Sequence, residues 1–261
     1  MWMILIACTF GILVGGLINQ LGSDLPARRS LTRPAVAATT TGHRPHCPYC
    51  GRERPWWKWL ALPAYLSGRA RCSSCGAPIG LRHPLVEIGL GVTYAYLWIL
   101  LGPSIKLILY TLYSTIFALI LITDIERRLI LNVVIYPAIL LAVIAGFFTP
   151  DMNWKSVLLG GAIAFLFFLG AAVIGNAIFG AGALGGGDVM LATFIGLITG
   201  FPLVIVALLL TIIIGAAVSL ILLLTRTRGL RDYVPYGPFL IAGAMVTLLW
   251  GYSIAGWFLY R

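Results

Sequence analysis

The sequence predicts an all-α polytopic membrane protein with about eight transmembrane helices and a small cytoplasmic domain between the first helix and the second. Two observations carry this. Apolar residues make up 60% of the 261 and charged residues only 10%, with a mean hydropathy of +0.99, where a soluble domain carries about 25% charged residues. Apolar stretches near span length also recur along most of the chain, with turn and breaker signatures between them. This composition excludes an ordinary soluble globular enzyme, a disordered chain and a coiled coil. A net charge of +10 would point to nucleic acid in a soluble protein. Here the basic residues sit between hydrophobic spans, so they read as membrane topology. Membrane lipids are the expected partners, and no nucleic acid is.

Residues 1–21 form the first span. They lack a basic start and a small-residue cleavage site, so they read as a retained helix and not a cleaved signal. Residues 22–83 are the one polar stretch, holding ten of the 18 Lys/Arg and two acids, Asp24 and Glu53. Residues 84–261 then hold spans at 85–101, 105–123, 129–148, 156–179, 188–200, 203–225 and 239–260. Breaks fall at Gly102-Pro103, 124–128, 149–155, 180–187, Phe201-Pro202 and 226–238. The 188–200 span is short and must tilt, be shielded, or extend past Pro202. With residues 22–83 placed inside, the inner face collects 15 Lys/Arg, among them Arg127, Arg128, Arg226, Arg228 and Arg231. The outer face keeps three: Lys106, Lys155 and Arg261. That asymmetry puts the polar domain in the cytoplasm and both termini outside.

Cys47-Pro-Tyr-Cys50 and Cys72-Ser-Ser-Cys75 are two C-x2-C pairs separated by 21 residues. Each pair offers two thiolates on one tight turn, and two such turns complete a closed tetrahedral sulfur site for structural zinc. Gly51 and Gly76 directly follow the pairs, as tight turns favour. The competing reading is free or disulfide-bonded cysteines, which a cytoplasmic location disfavours. Cys8, in the first span, reads as apolar filler. His43 and His46 flank the first pair.

Two acids stand at span edges on the predicted cytoplasmic side. Asp124 ends the third span, and Asp188 opens the sixth behind Gly185-Gly186-Gly187. Acids beside hydrocarbon tend to be paired or functional. Two neighbouring carboxylates that share a proton can activate water with one group and protonate the departing group with the other, which is aspartic peptide hydrolysis. The three glycines would allow close approach of an extended substrate backbone. The plainer alternative is that Asp188 caps a helix while Asp124 pairs with Arg127 or Arg128.

At these residues the chain resembles the type IV prepilin peptidase family of G-x-G-D aspartic membrane peptidases. The resemblance runs in order through the glycine-rich first helix ending in Asn19, the two cysteine pairs, Arg82-His-Pro-Leu-Val-Glu87, Asp124-Ile-Glu-Arg-Arg, Gly185-Gly-Gly187-Asp188 and Val234-Pro-Tyr-Gly-Pro-Phe239. It implies cleavage of the basic leader from type IV prepilins or pseudopilins at the cytoplasmic face of the bacterial inner membrane, with Asp124 and Asp188 as the catalytic pair. It also implies N-methylation of the new terminus from S-adenosylmethionine, as in many members. The chain departs from the family at Met190, where a Lys is usual, at Leu131, where a Pro is usual, and at Asp24, where an Arg is common.

Glu126 reads as a solvated charge beside Arg127 and Arg128, and Glu87 as a helix-dipole partner in the first turn of the second span. Trp56, Trp57 and Trp59, with Lys58, read as an interface anchor. Two other functions remain open on the residues alone: a transporter using the intramembrane acids, and a non-catalytic scaffold of a pilus or secretion machine. Transport sites usually lie near the bilayer midplane, whereas both aspartates stand at span edges.

Overall fold

The computed structural model describes residues 2–27, 47, 50–52, 59–68, 70–149, 152–179, 184–225 and 235–259. His43, His46, Glu53, Trp56, Trp57, Lys58, Arg226, Arg228, Arg231 and Val234 lie outside the described residues. The helices in chain order are α1 (Trp2–Ala27), α2 (Ala61–Leu66), α3 (Arg82–Leu101), α4 (Ile105–Arg127), α5 (Asn132–Gly146), α6 (Trp154–Phe179), α7 (Gly186–Thr199), α8 (Leu203–Leu224) and α9 (Gly237–Leu259). The protein is all-helical apart from an isolated bridge between Arg71 and Pro78 among the described residues. Six helices (α1, α3, α4, α6, α8 and α9) are long and apolar enough to cross a membrane, so the chain is a multi-pass membrane protein. The other two apolar helices are shorter: α5 has 15 residues and α7 has 14.

Three boundaries differ from the sequence expectation for physical reasons. α1 runs past Leu21 to Ala27, and side chains at its polar end bond within the helix. Gln20 Nε2 donates to Asp24 Oδ2 at 2.8 Å, and Ser23 Oγ donates to the carbonyl of Asn19 at 3.1 Å. α4 carries on through Asp124 to Arg127, and stops where Arg128 takes the left-handed conformation at φ 53°. α5 begins at Asn132, after a non-helical stretch in which Ile130 and Leu131 are nonetheless buried.

The chain forms two compact units, Met1–Ile122 and Thr123–Arg261. In the first, α1 and α3 meet backbone to backbone. A Cβ added at Gly11 would lie 2.5 Å from the Leu90 carbonyl oxygen, and one at Gly15 would lie 2.6 Å from Glu87 Cα. Lipid tails provide no hydrophobic force between helices, so close approach across small residues is what holds such pairs. Asn19 Nδ2 adds a hydrogen bond to the His83 carbonyl at 2.9 Å, and the Tyr94 hydroxyl reaches Thr115 Oγ1 of α4 at 2.5 Å.

In the second unit α7 packs against α5, α6, α8 and α9. From Asp188 onward nearly all of α7 is buried, so this short helix is shielded by its neighbours rather than by lipid. Its crossing with α6 is as close as that of α1 with α3: a Cβ at Gly196 would lie 2.3 Å from the Gly160 carbonyl oxygen. Apolar side chains such as Leu209, Ile213 and Leu220 of α8 stay exposed, as a hydrocarbon-facing surface requires.

Candidate active site and cysteine cluster

Asp124 lies in the last turn of α4 and Asp188 in the first turn of α7. Both are 5% exposed, although the next four residues after Asp124 are exposed. Three helix ends meet around them. Gly187, at the start of α7, lies against Ile130 just beyond α4; a Cβ there would stand 2.9 Å from Ile130 Cβ. Gly237, at the start of α9, lies against Asp124 itself. Asp124 and Asp188 are near enough to interact electrostatically, and the Tyr236 phenol lies within reach of the Asp188 charge. The Tyr236 ring packs on Phe168 and Phe239, with centroids 5.9 Å away in each case.

The two carboxylates are held differently. Asp188 is the third residue of its helix, and its Oδ2 accepts the Gly185 amide at 3.2 Å, while its own amide donates to the Gly185 carbonyl at 3.1 Å. The capping alternative is therefore physically real, but it engages one oxygen only through a glycine amide. Asp124 Oδ2 is buried and has no hydrogen-bond partner among the described residues. Neither Arg127 nor Arg128 reaches that atom, and both are exposed. A buried carboxylate oxygen without a partner is costly and calls for an occupant; a water or a substrate amide has the right chemistry. Gly186 is exposed, and a Cβ placed there would meet nothing within 4 Å, which leaves room for an approaching backbone beside Asp188. Glu126 is exposed and Met190 half-buried.

The four cysteines of the paired motifs come together. Their Sγ atoms all lie within 4.8 Å of one another, with Cys47–Cys75 at 3.8 Å and Cys50–Cys72 at 3.9 Å. A tetrahedral zinc with Zn–S near 2.3 Å has S···S edges of about 3.8 Å, so the donor set fits. The two turns repeat one design. Gly51 and Gly76 donate to the carbonyls of Cys47 and Cys72 at 2.9 and 3.0 Å, with φ of 70° and 71°. The amides of Cys75 and Ser74 pull the Cys72 thiol down to about 6, which favours the thiolate that binds metal. Cys8 is half-buried against Gly91, as a filler should be.

The model of the type IV leader peptidase family matches residues 110–220, and that of the bacterial peptidase A24 N-terminal domain matches residues 9–101. Over these two stretches the chain is similar to the type IV leader peptidase family. Among its relatives are proteins named prepilin leader peptidase/N-methyltransferase. The one from Bacillus subtilis is 27% identical over 257 residues, covering 98% of each chain. The one from Pseudomonas putida is 28% identical over 267 residues, covering 97% of this chain and 92% of the relative. The one from Pseudomonas aeruginosa is 27% identical over 265 residues, covering 95% and 91%. No solved structure matches the chain. Asp124 and Asp188 both fall in the stretch that matches the leader peptidase model, and the four cysteines in the stretch that matches the N-terminal domain.

Two groups acquire contacts that the sequence reading did not assign. Glu87 is 1% exposed, and its oxygens accept the amides of Ala61 at 2.8 Å and Leu62 at 2.7 Å. Gly237 touches Asp124. An acid in an apolar run was a visible signal for the first. Gly237 stood in the Val234–Phe239 segment that carries the resemblance, but nothing in the sequence tied it to Asp124.

Proposed function

We propose that this chain is an aspartic endopeptidase of the type IV leader peptidase family that removes the basic leader from type IV prepilins or pseudopilins, with Asp124 and Asp188 as its catalytic pair. The single observation that carries the pairing is the convergence of two nearly buried carboxylates at the ends of α4 and α7, one of them with an unpartnered oxygen. One carboxylate, ionised, takes a proton from water as the water oxygen bonds to the scissile carbonyl carbon. The other, protonated, donates to the carbonyl oxygen. Collapse of the tetrahedral intermediate breaks the C–N bond, and a proton passes to the leaving amine. Gly185, Gly186 and Gly187 give the substrate backbone its approach.

The same reading assigns residues 1–21 to a first transmembrane helix, 22–83 to a cytoplasmic domain and 84–261 to the peptidase core. It counts α5 and the largely buried α7 as crossings, which makes eight. The Lys/Arg asymmetry supports an inner-membrane protein with the cysteine domain and the active site facing the cytoplasm. The cysteine cluster would hold zinc, which when bound supplies a cross-link and no open coordination position. The relatives' name adds N-methylation, for which S-adenosylmethionine would donate the methyl group; its site is assigned to no described residue.

Asn is nearly isosteric with Asp but cannot act as this acid or base. Asp124→Asn and Asp188→Asn should each lower leader cleavage of a co-expressed prepilin by about 10³-fold or more, while the protein still inserts and accumulates. Near-normal cleavage by either variant, verified free of wild-type enzyme, overturns the mechanism.

A further inference from the structure

We infer that Gly237 is a positioning residue for Asp124: the bare Cα that opens α9 vacates the space in which Oδ2 of that carboxylate sits. The inference rests on the reading of Asp124 as one of the catalytic pair. A Cβ at position 237 would lie 2.5 Å from Asp124 Oδ2, 3.0 Å from Cγ and 3.5 Å from Cβ, where nonbonded heavy atoms settle at about 3.5–4.0 Å. Any side chain here therefore has to push the carboxylate away.

The ring of Pro238 also crowds a Cβ on the preceding residue, a cost that does not depend on Asp124 and that the Asp124→Ala background below separates from the carboxylate clash. The φ of Gly237 lies outside the left-handed region, and at the start of a helix Ala has the better intrinsic propensity. At Gly11, Gly160 and Gly196 the obstacle is the backbone of a neighbouring helix, whereas here it is a carboxylate. Asp188 has a milder version of this seat, since a Cβ at Gly185 would lie 3.3 Å from its Oδ2. Each carboxylate thus rests on a glycine at a helix start, and the tighter seat is the one on α9, far along the chain from both aspartates.

The test compares the full-length enzyme with Gly237→Ala, and with Gly256→Ala as a control further along the same helix, where a Cβ meets nothing within 4 Å. Steady-state cleavage of a leader-bearing prepilin peptide should show kcat reduced about 10²-fold in Gly237→Ala, with KM little changed and the pH profile of kcat displaced. Gly256→Ala should match wild type. A stability cycle provides a readout independent of activity. Thermal midpoints of Gly237→Ala are measured with Asp124 present and in an Asp124→Ala background, where removal of the carboxylate should remove its share of the penalty of the added methyl. Wild-type kcat in Gly237→Ala, while Asp124→Asn is inactive, overturns the inference. So does an equal loss of thermal stability in both backgrounds, which would make Gly237 an ordinary packing residue. If Asp124→Asn cleaves normally, the catalytic reading fails instead, and the cycle still decides whether Gly237 seats the carboxylate.

Discussion

Both oxygens of Glu87 are occupied by the first two amides of α2. A carboxylate at a helix N-terminus is what the macrodipole favours, and the sequence pointed to that role, but for the helix that carries Glu87 rather than the helix it faces. From α2 the connection continues to the cysteine hairpin, because the Tyr65 hydroxyl donates to the carbonyl of Ile79. Removing the carboxylate leaves two amides without acceptors, at about 1–3 kcal/mol for each unmade bond. Glu87→Ala should therefore lower the thermal midpoint and speed limited proteolysis between residues 59 and 68, with Glu87→Gln in between. Unchanged proteolysis in the alanine variant would show that α2 does not depend on Glu87. The aspartates and cysteines were legible in the sequence because each is chemically costly where it stands. Gly237 was not, because its contribution is the absence of a side chain, and that has meaning only once Asp124 is seen beside it.

Helix crossings depend on the same economy of space. Gly160 and Gly196 each lie where the other helix's backbone would collide with any side chain, at 2.4 and 2.3 Å. Gly196→Val should therefore separate α6 from α7 and disturb the helix that carries Asp188. The expected result is lower accumulation in the membrane and a thermal midpoint several degrees below wild type, measured in detergent. Gly170→Val, on α6 where a Cβ meets nothing within 4 Å, should have little effect. Helix stops marked by glycine were readable from the sequence: Gly102 and Gly200 both end helices in the left-handed region, at φ 57° and 67°. The end of α4 was not readable, because Arg128 takes that conformation without being glycine, and the helix carries a carboxylate through its last turn. Pairs of small residues four apart, such as Gly11 with Gly15, were also visible, but which helix each would meet was not.

For the whole molecule, membrane character and the cysteine cluster followed from composition and spacing, because hydrocarbon and metal each impose a narrow choice of residues. The division at residue 122 did not, since it falls inside one continuous helix, where no composition shift marks it. The cysteine cluster belongs to the first unit and the aspartate pair to the second, so loss of metal should reach cleavage only indirectly. Cys72→Ser with Cys75→Ser should reduce metal from about one zinc per chain to background, with a partial loss of cleavage. A full metal complement in that double variant would rule out the four-cysteine site.

α5 and α7 lie side by side, and they are the two apolar helices that are short for a bilayer. At 1.5 Å per residue they rise about 22 and 21 Å against a hydrocarbon slab of about 30 Å. On the proposed reading, in which both cross, their ends fall roughly 8–9 Å short of that thickness. Asp188 stands in the first turn of the shorter helix, so on that reading the proposed site would be recessed relative to the ends of the longer helices. A loop of a soluble protein arriving at the headgroups would stop short by several ångströms. A chain already anchored by its own hydrophobic helix brings its membrane entry point down to the right depth, which makes the bilayer a ruler that helps select what is cut.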